Sequence, residues 1–458
     1  MALQESDRLV IFGVTGDLAH KMTLPSLYRL ERRKMLHVPI LGIAFDDIST
    51  EDFIKLAHSA IEKVEGKVDA AVFKRLAARF SYLHGDFADD ALYDQIVSAC
   101  VGSSHVTFYL EIPPSLFVTV AQKLVAVGLT AGDSRIVFEK PFGTSLATAR
   151  QLNQTLHSLL REEQIFRIDH YLGKDPVMDV MYLRFANSIF ESVWNDHYVA
   201  AIMVTMAEDF GVDDRGSFYD AVGTIRDVVQ NHLLQVLALV AMEVPVAELS
   251  APRLDVFRCI PDAVPARCVL GQYAGYQDVK GVKRGSLTET FVALELQIDS
   301  LRWGGTPVLI RAGKHLPVKA TEVVIRLRRL PPVWFAGKLR RVRHDDDILL
   351  RLGGDPGVEL TVRVKSPGID NVEPVNLNVD FRTALGEVPE PYEVLLVDAL
   401  AGDKTRFPDE KSIEETWRIV QPLLDTGQAP DIYRPGTWGP QAAIDMAARF
   451  GGWRDPTV

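Results

Sequence analysis

The chain has 458 residues, of which 47% are hydrophobic and 24% are charged, and it carries a formal net charge of −11. This length is too great for one simple core and the composition is that of a soluble globular protein, so we expect two domains. The negative charge argues against nucleic acid as a partner, and no stretch approaches the roughly 18 apolar residues of a membrane span. Three cysteines are too few for a disulfide framework, and the first residues do not resemble a secretory signal; together these features favour a cytoplasmic location.

The first part of the chain alternates apolar strands with helical patterns. Predicted helices span Thr50–Glu65, Asp90–Cys100 and Thr144–Glu162, the last capped by Thr144 or Ser145. Strands spaced by helices indicate a parallel sheet covered on both faces, which is the Rossmann-type, doubly wound α/β pattern of a dinucleotide-binding domain over residues 1–175. The predicted strands are Leu9–Phe12, Val38–Ala44, Phe80–His84, Val106–Leu110 and Ile136–Phe138.

After about residue 175 the pattern changes. Helical patterns at Asp179–Asn187 and Ser217–Val244 precede runs that alternate apolar and polar residues with period two. This order predicts a larger α+β domain with a mainly antiparallel sheet over residues 176–458, with irregular structure over Ala251–Gly285. The predicted strands of this domain are Phe291–Ile298, Val323–Leu327 and Leu360–Val364.

A glycine turn follows the first predicted strand. Gly13 and Gly16 enclose Val14 and Thr15, and Asp17-Leu18 comes next. Small residues let the backbone approach a pyrophosphate, and the following helix offers it N–H groups and the positive end of a dipole. A lone G-x-x-G is a weak signal, but its place after the first strand favours a nucleotide site over a simple turn.

Two polar clusters stand out further along the chain. Arg167-Ile-Asp-His-Tyr-Leu-Gly-Lys174 combines an acid, an imidazole, a phenol and two cations, as a phosphorylated sugar would require. Ile225-Arg-Asp-Val-Val-Gln-Asn-His232 places polar residues inside an apolar run, where burial costs free energy unless each finds a partner. The alternative for the first cluster is a solvated surface of charged residues. The alternative for His232 is a hydrogen-bonded histidine in the core.

These segments, in this order, resemble the glucose-6-phosphate dehydrogenase family. The resemblance covers nearly the whole chain, and the ordered set of blocks is far more specific than any single block. Further matching blocks are Tyr109-Leu-Glu-Ile-Pro-Pro-Ser115, Glu139-Lys-Pro-Phe-Gly143, Arg184-Phe-Ala-Asn187, Arg311-Ala-Gly-Lys314 and Gly436-Thr-Trp-Gly-Pro440.

The resemblance implies oxidation of glucose 6-phosphate at C1 to 6-phosphogluconolactone, with His232 as the general base and Asp169 orienting it. It assigns the substrate phosphate to His170, Tyr171 and Lys174. Lys140, Glu208 and Asp227 are candidates for the sugar hydroxyls, and Lys314 and Lys319 for closing over the substrate. It further implies a homodimer or homotetramer formed through the sheet domain, and no metal site. The implied cofactor residues are Gly13, Thr15, Gly16, Asp17, Leu18, Phe45, Asp46 and Lys140.

The cofactor half departs from the family pattern. NADP is the usual family cofactor, but Phe45 stands where the family has an arginine for the adenosine 2′-phosphate, and Asp46 and Asp47 follow it. A carboxylate there accepts hydrogen bonds from a free ribose hydroxyl and repels a 2′-phosphate, so NAD becomes a candidate cofactor. Two alternatives stay open: the aspartates cap the next helix, or another cation such as His20 or Lys21 reaches the phosphate. Met22 replaces an expected lysine, and Glu111 an expected small residue.

Two other functions fit part of the sequence. A Glu-Lys-Pro sugar oxidoreductase of the glucose–fructose oxidoreductase type shares the two-domain plan but lacks the Arg167–Lys174 cluster. A catalytically silent paralogue that binds sugar phosphate would fit Met22 and Phe45, but the retained His232 and Asp169 oppose it.

Overall fold

The computed structural model describes residues 4–246, 248–329, 333–335, 338–340, 346–368, 372–386 and 388–457. The chain forms two compact units. The first contains the residues up to Asp175 together with Pro389–Glu414, and the second contains Pro176–Val388 and the residues from Glu415 onward. The division after residue 175 lies at the predicted boundary, and residues 389–414 cluster with the first unit although they follow most of the second unit in the chain.

A parallel sheet forms the centre of the first unit. Its six strands lie in the order β3-β2-β1-β4-β5-β6, and every neighbouring pair is parallel. The five predicted strands are present, and a sixth follows them that the sequence pattern did not reveal. The strands are β1 Arg8–Phe12, β2 Ile40–Ala44, β3 Phe80–His84, β4 Val106–Leu110, β5 Arg135–Phe138 and β6 Ile165–Arg167.

Helices connect these strands as the doubly wound pattern requires. The helix predicted over Thr50–Glu65 has those bounds, and Ser145 caps the helix predicted after Thr144, although that helix ends at His157. A five-residue π-helix, Ala19–Thr23, follows the glycine turn and leads into the first α-helix. The α-helices are α1 Leu24–Arg32, α2 Thr50–Glu65, α3 Ala70–Ala77, α4 Asp90–Ala99, α5 Phe117–Ala126 and α6 Leu146–His157.

The second unit is built on a nine-stranded sheet with the order β16-β15-β14-β11-β7-β10-β9-β8-β17. Neighbouring strands are antiparallel except for the pairs β7/β10 and β8/β17, which are parallel. A separate pair, β12 and β13, is antiparallel. The strands are β7 Val199–Ala207, β8 Cys268–Tyr273, β9 Phe291–Leu296, β10 Val308–Gly313, β11 Ala320–Leu327, β12 Val333–Phe335, β13 Lys338–Arg340, β14 Asp347–Arg351, β15 Gly357–Lys365, β16 Val372–Asp380 and β17 Asp431–Tyr433.

The helical part of the second unit differs from the sequence prediction in two places. The helix predicted over Ser217–Val244 is interrupted, because Gly223 has a φ of +71° and a π-helix, Ile225–Leu233, follows it. The region Ala251–Gly285, predicted as irregular, contains a helix and β8, since its prolines and glycines lie largely at element ends. The helices are α7 Asp175–Phe185, α8 Ser188–Val193, α9 Gly216–Thr224, α10 Leu234–Ala241, α11 Ser250–Cys259 and α12 Phe381–Leu385.

Three more helices complete the chain, and one of them returns to the first unit. They are α13 Pro391–Ala401, α14 Glu410–Leu424 and α15 Gln441–Ala448, and the 3₁₀ segments are Pro114–Leu116, Glu162–Gln164, Asp213–Arg215, Pro265–Arg267 and Tyr276–Asp278. Tyr392, Leu395 and Leu396 of α13 are buried in the same core as β1 and α1. Apolar burial therefore fixes α13 to the first unit in spite of its distance along the chain. Within the described ranges no helix is long and apolar enough to cross a membrane.

Candidate active site

The glycine turn lies where the order of the parallel strands reverses. β1 has β2 on one side and β4 on the other, and ligands of such sheets bind in the crevice at the carboxyl ends of these strands. Gly13 has a φ of +85°, and a Cβ atom there would lie 2.2 Å from the carbonyl oxygen of Glu111. Only glycine fits this position, and the turn is closed by a 2.8 Å hydrogen bond from Gly16 N to Gly13 O. The backbone here suits the pyrophosphate of a dinucleotide.

The residues next to the turn are differently exposed. Asp17 is exposed and pairs with Lys21 at 2.8 Å, and this contact lowers the pKa of the Asp17 carboxyl. Leu18 is partly buried and packs against the core of the first unit. Burial lowers the pKa of His20. Of the two cations that the sequence offered for a 2′-phosphate, Lys21 is thus already engaged by a carboxylate.

The carboxyl end of β2 holds the candidate adenosine residues. Thr15 Oγ1 donates a hydrogen bond to Asp46 Oδ2 at 2.5 Å, and the Tyr82 hydroxyl donates to Asp46 O at 2.6 Å. The ring of Phe45 is 53% exposed. Ser49 caps α2 by accepting from Asp52 N at 3.1 Å, so the alternative in which Asp46 or Asp47 caps that helix is wrong.

A buried acidic network lies at the carboxyl ends of β4 and β5. The Tyr109 hydroxyl donates to Glu139 Oε1 at 2.6 Å, Tyr392 is a second hydrogen-bond partner of Glu139, and the Thr23 hydroxyl donates to Glu111. Burial is the main cause that raises the pKa of Glu111 to about 8, and it raises the pKa of Glu139 to about 7. Lys140, which follows Glu139 directly, is partly buried.

The segment after β6 forms a compact turn centred on Asp169. Asp169 is fully buried, and its Oδ1 accepts a hydrogen bond from Tyr171 N at 2.9 Å. The ring centroids of His170 and Tyr171 lie 5.1 Å apart, and Lys174 Nζ lies 3.7 Å from the Tyr171 centroid. The turn therefore brings together the three side chains that the sequence assigned to the phosphate.

In the second unit, two parallel strands bring a glutamate and a lysine together. β7 and β10 end in register at Ala207 and Gly313, so the next residues, Glu208 and Lys314, are neighbours. Lys314 Nζ lies 2.5 Å from Glu208 Oε2, and Lys314 is buried while Glu208 is partly exposed. Lys319 is exposed and lies beyond the end of β10, 6.0 Å from the Phe210 ring.

The π-helix Ile225–Leu233 carries Asp227 and His232. Glu289 Oε1 accepts from Ile225 N at 2.9 Å at the start of this helix. Gln230 Nε2 donates to Thr416 Oγ1 at 2.9 Å, which satisfies one member of the polar triplet, and His232 is 3% exposed. π-helical turns occur frequently at functional sites, because they shift side chains relative to a regular helix.

The predicted site residues are thus divided between the two units. The first unit holds all the cofactor candidates and Lys140, Asp169, His170, Tyr171 and Lys174. The second holds Glu208, Asp227, His232, Lys314 and Lys319. Sequence reasoning missed the network partners Tyr109, Glu139 and Tyr392. The first two lie in matching blocks, whereas nothing around Tyr392 marked it.

Known proteins resemble this chain over nearly its whole length. Residues 10–179 match the family model of the glucose-6-phosphate dehydrogenase NAD binding domain, and residues 181–454 match that of its C-terminal domain. The chain is 49% identical to glucose-6-phosphate 1-dehydrogenase 1 of Mycobacterium bovis over 98% of this chain and 97% of that protein. It is also similar to the crystal structure of glucose-6-phosphate 1-dehydrogenase from Mycobacterium avium, with a TM-score of 0.91, 47% identity and coverage of 99% and 100% of the two chains. A glucose-6-phosphate dehydrogenase in complex with glucose-6-phosphate has the same TM-score of 0.91 at 31% identity, with both chains covered fully.

Proposed function

The chain belongs to the glucose-6-phosphate dehydrogenase family, and we propose that it oxidises D-glucose 6-phosphate at C1 to 6-phospho-D-glucono-1,5-lactone, the entry reaction of the oxidative pentose phosphate pathway. The observation that carries the proposal is the turn around Asp169, which groups an imidazole, a phenol and an ammonium beside a buried carboxylate. A nicotinamide dinucleotide, when bound at the glycine turn, supplies the hydride acceptor. The enzyme's own residues must then bind the sugar phosphate and remove one proton.

The phosphate is held, in this proposal, by His170, Tyr171 and Lys174. An ammonium, an imidazole N–H and a phenol O–H all donate hydrogen bonds, and the charged donors give the stronger, charge-assisted contacts to phosphate oxygens. Lys174 is partly buried over the Tyr171 ring, which limits the conformations that its long side chain can adopt. A preorganised ammonium loses less entropy when the phosphate binds.

His232 is proposed as the general base that takes the proton from the C1 hydroxyl. Imidazole titrates near neutral pH and is the side chain most often used for this step. By family resemblance, we propose that Asp169 orients this base. Such a carboxylate also favours the imidazolium that forms once the proton has moved.

The sugar hydroxyls are assigned to Lys140, Glu208 and Asp227, with Lys314 and Lys319 closing over the substrate. The 2.5 Å contact between Lys314 and Glu208 keeps a buried ammonium next to a carboxylate. This pairing offers both donors and acceptors to a polyol, and it offsets the desolvation cost of the lysine. A pair of this kind suits a neutral sugar ring better than a second phosphate.

For the cofactor, we propose that NAD is used at least as well as NADP. Asp46 is placed by Thr15 and Tyr82 at the end of β2, and Phe45 brings no charge to the position next to it. A fixed carboxylate accepts hydrogen bonds from the 2′- and 3′-hydroxyls of an unphosphorylated ribose and repels a phosphate in the same place.

We also propose that the protein assembles as a homodimer or homotetramer through the sheet of the second unit. β16 is the outermost strand, and it pairs with β15 so that apolar residues lie opposite one another on one face. An exposed apolar face on an edge strand is typical of an interface. Its exposed part is Val375, Leu377 and Val379 of β16, while Leu360 and Val362 of β15 are partly exposed and Val358 is buried.

Assembly can be tested by light scattering after size-exclusion chromatography. The parent is expected to elute as a dimer or tetramer, and Leu377→Lys, which puts a charge on this face, should dissociate it. A monomeric parent would contradict the assembly proposal without affecting the proposed activity.

Three free cysteines, Cys100, Cys259 and Cys268, support a reducing, cytoplasmic compartment.

One spectrophotometric experiment tests the activity. The protein is mixed with NAD or NADP and with either glucose 6-phosphate or glucose, and absorbance at the wavelength of reduced nicotinamide is followed. We expect reduction with glucose 6-phosphate and much slower reduction with glucose. Equal rates with glucose would favour the glucose–fructose oxidoreductase type of enzyme. No reduction at all, with glucose 6-phosphate nevertheless bound, would favour the silent paralogue.

A further inference from the structure

An exposed aromatic ring lies beside the candidate adenosine site. Phe45 is the first residue after β2 and is 53% exposed, although burial of a phenylalanine ring is favourable. Its neighbour Asp46 is hydrogen bonded to the glycine turn through Thr15. The ring is therefore positioned within reach of whatever occupies the crevice on the β2 side of β1.

The ring is supported from one side by a cluster of aromatic residues in tilted and edge-to-face contact. Its centroid lies 4.5 Å from that of Phe87, which is 2% exposed and in turn lies 5.6 Å from the centroid of Phe12 in β1. Phe12 also stacks on Tyr93, at 6.5 Å. Because Phe87 covers part of the ring, Phe45 is held in place while the remaining surface stays open to solvent.

The position of this surface identifies the group that would cover it. In a doubly wound sheet the pyrophosphate sits at the turn after β1, and an acidic residue after β2 binds the adenosine ribose. Asp46 occupies that place, so the base attached to the same ribose lies near Phe45. Flat aromatic bases stack on exposed aromatic side chains, and such contacts are strong enough to decide affinity.

We propose that Phe45 is a cofactor-contacting residue that stacks on the adenine ring of the dinucleotide, so that this chain replaces a charged contact to the 2′-phosphate with an aromatic contact to the base. The proposal rests on the proposed function for the existence of the dinucleotide site. It goes further in predicting that Phe45 acts on NAD and NADP alike, since both carry the same base, whereas Asp46 discriminates between them.

Direct binding tests the proposal without turnover. ADP-ribose, NAD and NADP are titrated calorimetrically into the parent, Phe45→Leu and Phe45→Trp in the absence of sugar phosphate. Phe45→Leu keeps an apolar side chain but removes the ring, so all three ligands should bind to it about tenfold more weakly than to the parent. Phe45→Trp keeps an aromatic ring and should bind them at least as tightly as the parent does. The tryptophan introduced by Phe45→Trp should also lose fluorescence when ADP-ribose binds. Phe218→Leu, at a phenylalanine that is 43% exposed in the second unit, is the matched control and should bind as the parent does.

The outcomes separate this proposal from the proposed function. If Phe45→Leu binds ADP-ribose as tightly as the parent does, the stacking role is wrong, whereas the absorbance assay tests the dehydrogenase activity separately. A loss confined to NADP would overturn it as well, because stacking on a shared base cannot distinguish the two cofactors. If the parent binds none of the three ligands, this proposal and the cofactor part of the proposed function both fail.

Discussion

Thr15 in the glycine turn donates a 2.5 Å hydrogen bond to the carboxylate of Asp46, although the two residues belong to different strand ends. The contact links the glycine turn after β1, the proposed pyrophosphate site, to the proposed ribose position after β2. It holds a negative charge directly after Phe45, the position at which the family resemblance implies an arginine for a phosphate. The proposed cofactor site is thus organised around a carboxylate.

The first prediction concerns cofactor preference. Phe45→Arg combined with Asp46→Ser should shift the ratio of kcat/KM for NADP over NAD upward by at least tenfold, because a repulsive charge is removed and an attractive one is added. Rates with both cofactors at saturating glucose 6-phosphate measure the ratio.

Asp47→Ser serves as the control for that double variant. The Asp47 carboxylate is exposed, with its nearest ionic neighbour His84 at 3.7 Å, so its removal should change the ratio much less. A strong preference of the parent for NADP would contradict our interpretation of Asp46 and would mean that another cation meets the 2′-phosphate.

The second prediction concerns the general base. His232→Asn should lower kcat by on the order of 10²–10⁴, since loss of a base removes proton transfer in the transition state but not the contacts to the phosphate. The KM for glucose 6-phosphate should stay within a few-fold of the parent value. His197→Asn, at an exposed histidine of the same unit, is the control. A kcat within a few-fold of the parent would show that His232 is a core histidine only.

The third prediction concerns the phosphate. Lys174→Ala should weaken glucose 6-phosphate by roughly 1.5–3 kcal/mol, the value of a hydrogen bond to a charged group, and should leave the KM for the cofactor nearly unchanged. Lys55→Ala, which removes a surface lysine paired with Asp52, should affect neither. An unchanged KM for glucose 6-phosphate in Lys174→Ala would place the phosphate elsewhere.

The fourth prediction concerns the buried Glu111 and its effect on stability. Burial raises its pKa in the folded protein from 4.5 to about 8, so the unfolded chain releases this proton first as the pH rises. Retaining the glutamate therefore destabilises the fold progressively between these two pH values. Glu111→Gln can still accept the hydrogen bond from Thr23. Its free energy of unfolding, relative to that of the parent, should rise by roughly 3 kcal/mol as the pH increases from 5 to 8. Urea unfolding followed by circular dichroism at several pH values measures this gain, and a difference independent of pH would contradict it.

A second glutamate, the partly exposed Glu162, provides the opposite case. Burial alone would raise the pKa of Glu162, but Arg167 at 2.8 Å, together with Lys404, lowers it to about 2. Its stabilising effect is present above pH 4.5 and is lost as the pH falls toward 2. Glu162→Gln should therefore destabilise the protein at pH 7, and the difference from the parent should shrink below pH 4.5. Equal losses at pH 7 and pH 3 would assign the effect to packing rather than to charge.

The parallel sheet of the first unit was largely predictable because its strands are continuous apolar runs. β3 and β4 were predicted with their actual bounds, and β1, β2 and β5 within two residues at either end. β6, Ile165–Arg167, has only three residues, too few for a period to be recognised. The apolar run after Ser217 did not reveal the break at Gly223, because a left-handed glycine inside a helical pattern has no periodic signature.

The sequence by itself determined the candidate site residues, because motif residues such as Gly13, Asp169 and His232 lie in short, ordered blocks that can be recognised without coordinates. Tertiary structure decided which of them touch and what surrounds them. Thr15 and Asp46, Glu208 and Lys314, and Glu139 and Tyr392 are distant in the chain, and strand pairing or apolar packing brings each pair together. The pKa values of Glu111 and Glu139 likewise depend on burial by neighbours from several elements, and a linear pattern of residue types does not contain that information.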